Sequence, residues 1–223
     1  MTFTVDSVRD ALAELRSRLD EAGGHDVAIL AVTKAFGPEA IDAALAAGLP
    51  AIGENYAQEL IAKRAAATAA EVHFIGQLQT NKVKRVGRVA ALLHSVDRLR
   101  LAEAWARDGA GRAPVLIQVN VSGEAAKAGV APEEAEQLTE QALELGLDVQ
   151  GLMTIAPLSP RAEDSRPHYR RLAELRDRLA GEFPSVTALS MGMTNDFEVA
   201  VEEGATVLRV GRAIFGPSEE SRG

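Results

Sequence analysis

Short apolar runs rich in β-branched residues alternate along the chain with longer segments whose apolar residues recur at helical spacing. This alternation predicts parallel strands joined by crossover helices. The predicted strands lie near Val27–Val32, Ala51–Gly53, Val72–Ile75, Ala91–Ser95, Val115–Val119, Val149–Leu152, Thr187–Ser190 and Thr206–Arg209. The predicted helices are an opening one over Val5–Ala22 and others over Pro38–Ala47, Ala57–Ala66, Arg98–Arg107, Pro132–Leu145, Arg166–Ala180 and Asp196–Glu203.

Eight such alternating units favour a closed (β/α)8 TIM barrel with an extra N-terminal helix over an open doubly wound sheet, because closure leaves no unprotected edge strand. The 223 residues, 47% of them hydrophobic, suffice for one barrel, so we expect residues 1–223 to form a single domain. Pro38 and Pro132 suit a first helical turn, and Gly146 and Gly181 suit C-terminal caps. The charged and small residues of 218–223 predict a disordered tail.

Composition excludes several classes of function. The chain has no cysteine, which removes disulfides, thiolate catalysis and Cys-ligated metals, and its four histidines form no compact cluster with carboxylates, so we expect no metal site. The net charge of -8 argues against a nucleic-acid partner. No secretory start and no membrane-length apolar run are visible, so we expect a cytoplasmic protein without membrane contact, and a monomer.

One basic cluster stands against the acidic balance. It runs through Asn81-Lys82-Val83-Lys84-Arg85 and is followed by Arg88, on a predicted helix. Such a cluster is ordinarily a solvated helix face, and that is our interpretation of it.

The strongest candidate for chemistry follows the first predicted strand, which ends Ala31-Val32-Thr33-Lys34. In barrels of this kind the loops after the strands share one mouth, where active sites form. A lysine at this point meets a partly dry mouth, and desolvation favours the neutral amine that attacks carbonyl groups. Lys34 is therefore a Schiff-base candidate, although a lysine after a strand is more often exposed or ion-paired.

Polar side chains follow the next strands as well. Asn55, in Gly53-Glu54-Asn55-Tyr56, is either a ligand at the mouth or only a helix cap. His73 and His94 lie within apolar strands, and we interpret them as hydrogen-bonded core histidines rather than catalysts.

The loops after the last two strands have the composition of a phosphate cradle. Ser190-Met191-Gly192-Met193-Thr194 supplies hydroxyls, and Gly192 and Gly211 allow close approach of the backbone. The alternative is that these glycines only make turns. We expect Lys34 to lie opposite this cradle across the mouth.

Taken together, these segments resemble the pyridoxal phosphate homeostasis proteins, the proline synthetase co-transcribed family, which share a fold-type III barrel with the N-terminal domain of alanine racemase. The resemblance covers about residues 27–216. The matching segments are Leu30-Ala31-Val32-Thr33-Lys34, Gly53-Glu54-Asn55-Tyr56, His73-Phe74-Ile75-Gly76-Gln77-Leu78-Gln79-Thr80-Asn81-Lys82, Ser122-Gly123-Glu124-Ala125, Gly151-Leu152-Met153, Ser190-Met191-Gly192-Met193 and Val210-Gly211 through Ile214-Phe215-Gly216.

The resemblance implies that the cofactor is pyridoxal 5′-phosphate, held as a Schiff base on Lys34. It further implies that Arg209 faces the pyridine nitrogen and that other residues line the ring or hold the phosphate. These are Asn55 and Met153 near the ring, and Ser190 and Thr194 with the main-chain N–H groups of Gly211 and Arg212 at the phosphate.

We expect binding rather than turnover. Arginine at the pyridine nitrogen disfavours its protonation and weakens the ring as an electron sink. Racemisation needs a second base, which in alanine racemase is a tyrosine of an additional domain, and only Tyr56 and Tyr169 are available here. The resemblance thus implies a protein that buffers or delivers the cofactor in vitamin B6 homeostasis, with apo-enzymes as transient partners. Our own hypothesis is that Lys127, Lys82 and Lys84 accept the aldehyde transiently during transfer. A racemase and a class I aldolase-like lyase remain the alternatives.

Overall fold

The computed structural model describes residues 3–109, 113–124 and 127–217. Within these ranges eight parallel strands close into a barrel in chain order, with β8 paired to β1. The strands are β1 (Ala28–Val32), β2 (Ala51–Glu54), β3 (Glu71–Phe74), β4 (Leu92–Val96), β5 (Val115–Gln118), β6 (Val149–Met153), β7 (Ala188–Ser190) and β8 (Val207–Val210). The predicted TIM barrel is therefore confirmed, whereas the tail predicted at 218–223 lies outside the described residues.

Helices precede β1 and follow the strands. They are α1 (Val5–Glu21), α2 (Glu39–Ala46), α3 (Ala57–Ala62), α4 (Val83–Val86), α5 (Leu99–Asp108), α6 (Ala135–Glu144), α7 (Arg166–Ala180), α8 (Phe197–Glu202) and α9 (Arg212–Phe215). The extra N-terminal helix is confirmed as α1, whose start is fixed by a capping box between Thr4 and Ser7.

The helix predicted over 57–66 was too long. Helix α3 ends at Ala62, and a 3-10 turn follows at Ala66–Ala69. Only Ala67 of that turn is buried, so the alanine-rich segment offers no large apolar side chain to hold a longer helix against the sheet.

The two predicted glycine caps differ. Gly146 follows α6 with φ of +76°, the left-handed conformation for which glycine is suited. Gly181 ends α7 with φ of -65°, so any residue could adopt its backbone conformation.

Side chains of each strand alternate between two layers. Leu30 and Val32 of β1 pack with Ile75, while Ala31 between them packs in the large cluster that also holds helix residues. This period of two directs every second strand residue into the barrel interior. No helix of the described ranges combines the length and apolarity needed to cross a bilayer.

Candidate functional site

Lys34 lies directly after β1 and is half-buried. The residue before it is held by a buried lysine: Lys63 Nζ donates to the main-chain oxygen of Thr33 at 2.8 Å. The same amine contacts Glu54 Oε1 at 2.9 Å and Glu59 Oε2 at 3.1 Å. We call Thr33, Glu54, Glu59 and Lys63 the Lys63 cluster. It joins the end of β1 to β2 and α3.

The Lys63 cluster also holds the residue after Lys34. Ala35 donates its main-chain N–H to Glu59 Oε2 at 2.9 Å and has φ of +60°, a left-handed conformation that is unusual for alanine. Thr33 Oγ1 donates to Glu54 Oε1 at 2.6 Å. Burial raises the pKa of Glu54, while Thr33 and Lys63 oppose that rise. The backbone is thus fixed on both sides of Lys34.

The two loops of the predicted phosphate cradle meet beside Lys34. Ala213 donates its main-chain N–H to Thr194 Oγ1 at 3.4 Å, which joins the loop after β7 to the start of α9. Because β8 pairs with β1, the loop after β8 is the immediate neighbour of Lys34. The expectation that lysine and cradle face each other across the mouth was wrong, since barrel closure makes the first and last strands adjacent.

Hydrogen bonds to Asp196 hold the loop after β7 in place. Its Oδ1 accepts the main-chain N–H of Met193 at 2.8 Å, and its Oδ2 accepts the hydroxyls of Tyr169 at 2.7 Å and Ser165 at 2.9 Å. Burial and the Asp196 charge raise the pKa of Tyr169 above its usual range. Tyr169 is fully buried and therefore serves the loop as a support.

Gly192 in this loop cannot be replaced by another residue without strain. Its φ is +91°, and a Cβ there would lie 2.5 Å from Ala200 Cβ and 2.7 Å from Leu208 Cδ2. Close packing against α8 and β8, together with the positive φ, requires glycine. Gly211 beside β1 has an ordinary φ of -117°, and a Cβ there would lie 3.1 Å from the Val32 oxygen, a tight contact. Arg212 is exposed.

Three phenylalanines connect the loop after β1 to α9. The ring centroids of Phe36 and Phe215 are 5.3 Å apart, and Phe3 lies 5.7 Å from Phe36 and 5.3 Å from Phe215. Such tilted and edge-on pairs add to the stability gained from apolar burial. The aromatic trio therefore holds the Lys34 loop next to the predicted phosphate loop.

Arg209 lies inside the barrel and is only 4% exposed. It donates to Ser190 Oγ at 2.7 Å and to the main-chain oxygen of Thr154 at 2.7 Å. Ser190 also contacts His94 Nδ1 at 2.9 Å, so while its hydroxyl donates to His94 it has no hydrogen to give to a phosphate. His73 and His94 are buried and hydrogen-bonded, which confirms their interpretation as core histidines.

The remaining predicted ring contacts follow β2 and end β6. Met153 is fully buried in an interior cluster with Leu92 and Leu116. Asn55 is half-buried, and its main-chain oxygen lies so close to Gly76 that no side chain fits there. Tyr56 is 43% exposed.

Sequence reasoning missed the Lys63 cluster. Its signal was available, because Glu59 and Lys63 stand four residues apart on a helix, the spacing of an ion pair. That spacing alone predicts a solvated pair. Only the fold shows that Lys63 turns inward and is buried.

The lysines considered for transfer lie on two segments of the chain. Lys84, Arg85 and Arg88 are exposed, in agreement with a solvated face, and Lys82 is half-buried. Lys127, between β5 and α6, places Nζ 3.1 Å from Glu124 Oε1. In the described part of the chain no group of three or more His, Asp or Glu side chains is arranged to hold a metal ion.

Comparison with known proteins places this architecture in context. The family model described as alanine racemase, N-terminal domain, matches residues 4–219. A pyridoxal phosphate homeostasis protein of Aquifex aeolicus is 44% identical over 92% of this chain and 94% of its own length. The Escherichia coli K12 protein of the same name is 35% identical over 96% of this chain and 95% of its own length.

Solved structures extend the likeness. The structure of PipY from Synechococcus elongatus with PLP bound has a TM-score of 0.82 and 35% identity, and the match covers 94% of this chain and 100% of PipY. An alanine racemase of Clostridium difficile has a TM-score of 0.77 at 16% identity and is covered to 56%. At that identity the likeness concerns the fold alone.

Proposed function

Because this chain belongs to the family of pyridoxal phosphate homeostasis proteins, we propose that it binds pyridoxal 5′-phosphate at the barrel mouth through Lys34 and buffers or delivers this cofactor. The observation that carries the proposal is the seam between β8 and β1, where a lysine with a fixed backbone adjoins the loops after β7 and β8. The PLP-bound structure of PipY supports it.

The residues present suit the chemical parts of the cofactor. An aldehyde requires an amine, which Lys34 supplies with loss of one water per C=N bond formed. A phosphate requires hydroxyl and N–H donors, which Thr194 supplies with the main chain of Gly211 and Arg212. The flat ring requires apolar and amide surroundings, for which Met153 and Asn55 are the candidates.

Arg209 sets the chemistry that the cofactor supplies when bound. A guanidinium at the pyridine nitrogen opposes its protonation, so the ring is a weak electron sink. Ser190 and the Thr154 carbonyl keep the guanidinium in place. This arrangement favours reversible holding of the cofactor over transamination.

We propose that the chain has no turnover of its own. Racemisation needs a base on the ring face opposite Lys34. Tyr169 is committed to Asp196 and buried, so Tyr56 is the tyrosine left for that role. The test is incubation with L-alanine in deuterated water, with deuterium at Cα as the measured quantity. If this proposal is right, the protein gives no more deuterium at Cα than free cofactor does. Excess deuterium that disappears in Tyr56→Phe would establish a racemase instead.

The test of binding is the spectrum of the purified protein before and after borohydride. We expect a yellow protein, and mass spectrometry of the reduced protein should find the pyridoxyl group on Lys34. Lys34→Ala should stay colourless, whereas the exposed-lysine control Lys84→Ala should match the parent. A colourless parent that forms an adduct with a carbonyl substrate would point to the aldolase-like alternative, and an adduct on another lysine would overturn the assignment.

We further propose that the protein delivers the cofactor to apo-enzymes in the cytoplasm. Lys127 and Lys82 are the candidates for transient acceptance of the aldehyde during transfer. Lys127→Ala and Lys82→Ala should then slow reactivation of an apo-enzyme by the loaded protein without changing its spectrum. Unchanged transfer rates in both variants would remove this step.

A further inference from the structure

A line of hydrogen bonds crosses the barrel interior. Of the residues in this line, Arg209 and Ser190 are predicted to contact the cofactor. Arg209 donates to Ser190 Oγ at 2.7 Å, which contacts His94 Nδ1 at 2.9 Å. His94 Nε2 contacts His73 Nδ1 at 3.0 Å, and His73 Nε2 contacts Glu71 Oε1 at 3.2 Å. The line thus joins β8, β7, β4 and β3.

Burial changes steeply along the line. His94 and Ser190 are 0% exposed and His73 is 8% exposed. The Glu71 side chain, at the first residue of β3, is 58% exposed. The line therefore runs from solvent at the N-terminal ends of the strands to the buried guanidinium of Arg209, whereas Lys34 lies beyond the C-terminal end of β1.

Donor and acceptor chemistry allows only one direction for the bonds when both histidines are neutral. A guanidinium can only donate, a carboxylate can only accept, and a neutral imidazole has one N–H and one lone pair. Ser190 must then give its hydrogen to His94 Nδ1. His94 and His73 each carry hydrogen on Nε2, so the bonds point from Arg209 to Glu71.

The charges around the rings support neutrality. Burial, with the charges of His73 and Arg209, lowers the pKa of His94 well below its ordinary value. Burial also lowers the pKa of His73, and Glu71 opposes this. The titratable or charged groups that face the rings are Glu71 on β3 and Arg209 on β8.

We infer that Ser190, His94, His73 and Glu71 form a directed hydrogen-bond chain that positions Arg209 and couples it to solvent at the far end of the barrel. The part that concerns cofactor affinity rests on the proposed function. Ser190 and His94 are positioning residues, because they act on the ring only through Arg209. We call these four residues the interior chain.

Gain of one proton reverses the direction of the two hydrogen bonds of His94. Compared with the neutral state, the protonated state holds one proton more, taken up from solvent: His73 carries hydrogen on both nitrogens, His94 carries its hydrogen on Nδ1 instead of Nε2, and Ser190 keeps its own. His73 is then a cation, and Ser190 accepts from both Arg209 and His94. Its own hydrogen is free to turn away from His94, which changes how Arg209 is held.

The first test needs no cofactor. Nitrogen-15 NMR of histidine-labelled, ligand-free protein should show hydrogen on Nε2 and none on Nδ1 for His73 and His94 at neutral pH. Glu71→Leu should release the tautomer of His73 and, through it, change the His94 signals. Glu71→Gln, which keeps an oxygen acceptor, should restore both, and Glu140→Gln on the exposed face of α6 should change neither.

The second test measures the dissociation constant of pyridoxal phosphate as pH is lowered. We expect weaker binding in step with protonation of His73 observed by NMR, and a shifted step in Glu71→Leu. Three results would overturn the inference. They are an Nδ1–H tautomer at neutral pH, independent titration of the two rings, and a dissociation constant that does not change as His73 titrates. If instead the proposed function fails, the protein does not bind pyridoxal phosphate at any pH, or the adduct forms on a lysine other than Lys34, and the NMR result stands.

Discussion

Lys63 donates a hydrogen bond from Nζ to the main-chain oxygen of Thr33, 2.8 Å away and one residue before Lys34. A buried amine with three acceptors is therefore part of the backbone support of the candidate cofactor lysine. Among the residues that the structure describes, Glu54 Oε2 is buried and has no hydrogen-bond partner.

Lys63→Met should destabilise the protein strongly. It leaves Glu54 and Glu59 without their buried cation, and breaking a buried pair in this way costs about 3–5 kcal/mol. Urea unfolding measures the loss. Lys84→Met at an exposed lysine is the matched control and should change stability by less than about 0.5 kcal/mol. A loss at Lys63 as small as that of the control would show that the cluster contributes nothing.

Ala35→Gly should be neutral or stabilising. Left-handed backbone conformation costs alanine about 1–2 kcal/mol, and the entropy penalty of glycine is about 0.5–1 kcal/mol. Ala173→Gly in the middle of α7 is the control and should lose about 1 kcal/mol. Equal losses at the two sites would contradict strain at Ala35.

Stability should fall in acid because of His94. The folded-state pKa of His94 lies well below the ordinary value of about 6.5, so below that value the unfolded chain binds a proton that the folded chain does not. Its contribution is therefore fully present above about pH 6.5 and is lost as pH falls toward the folded pKa, by up to about 1.4 kcal/mol per pH unit.

The check is the difference in unfolding free energy between the parent and His94→Gln, measured from about pH 7.5 to about pH 5.5. The difference should shrink as pH falls. Glu54, whose pKa burial raises, acts in the opposite sense, but it is present in both proteins and cancels. A pH-independent difference would mean that His94 titrates equally in the folded and unfolded chains.

Gly192→Ala should lose more stability than Gly48→Ala. Both glycines have positive φ, +91° and +85°, but only Gly192 would bring Cβ into Ala200 and Leu208, while nothing lies within 4 Å at Gly48. Gly48→Ala therefore measures strain alone, about 1–2 kcal/mol. Thermal or urea unfolding gives the comparison, and similar losses would argue against close packing of the loop after β7.

Sequence periodicity was sufficient for the barrel, because each strand and helix carries its own pattern of burial. The bounds of α7 were predicted to the residue. The placement of Lys34 opposite the cradle did not follow from the predicted fold, because closure of a barrel already sets β8 beside β1 and the cradle beside Lys34. Contacts such as Lys63 to Thr33 or His94 to Ser190 join distant strands and helices, and no local spacing encodes them.

The pairing of β8 with β1 also determines when the protein can acquire its cofactor. Lys34 emerges early in synthesis, yet its neighbours Gly211 and Arg212 come among the last of the described residues. Chains grow from the N-terminus at about 5–20 residues per second, and non-local pairing completes folding late. If the site is as proposed, a nascent chain that still lacks β8 has the amine but not its phosphate-binding partners, so the site is completed only after β8 has been synthesised.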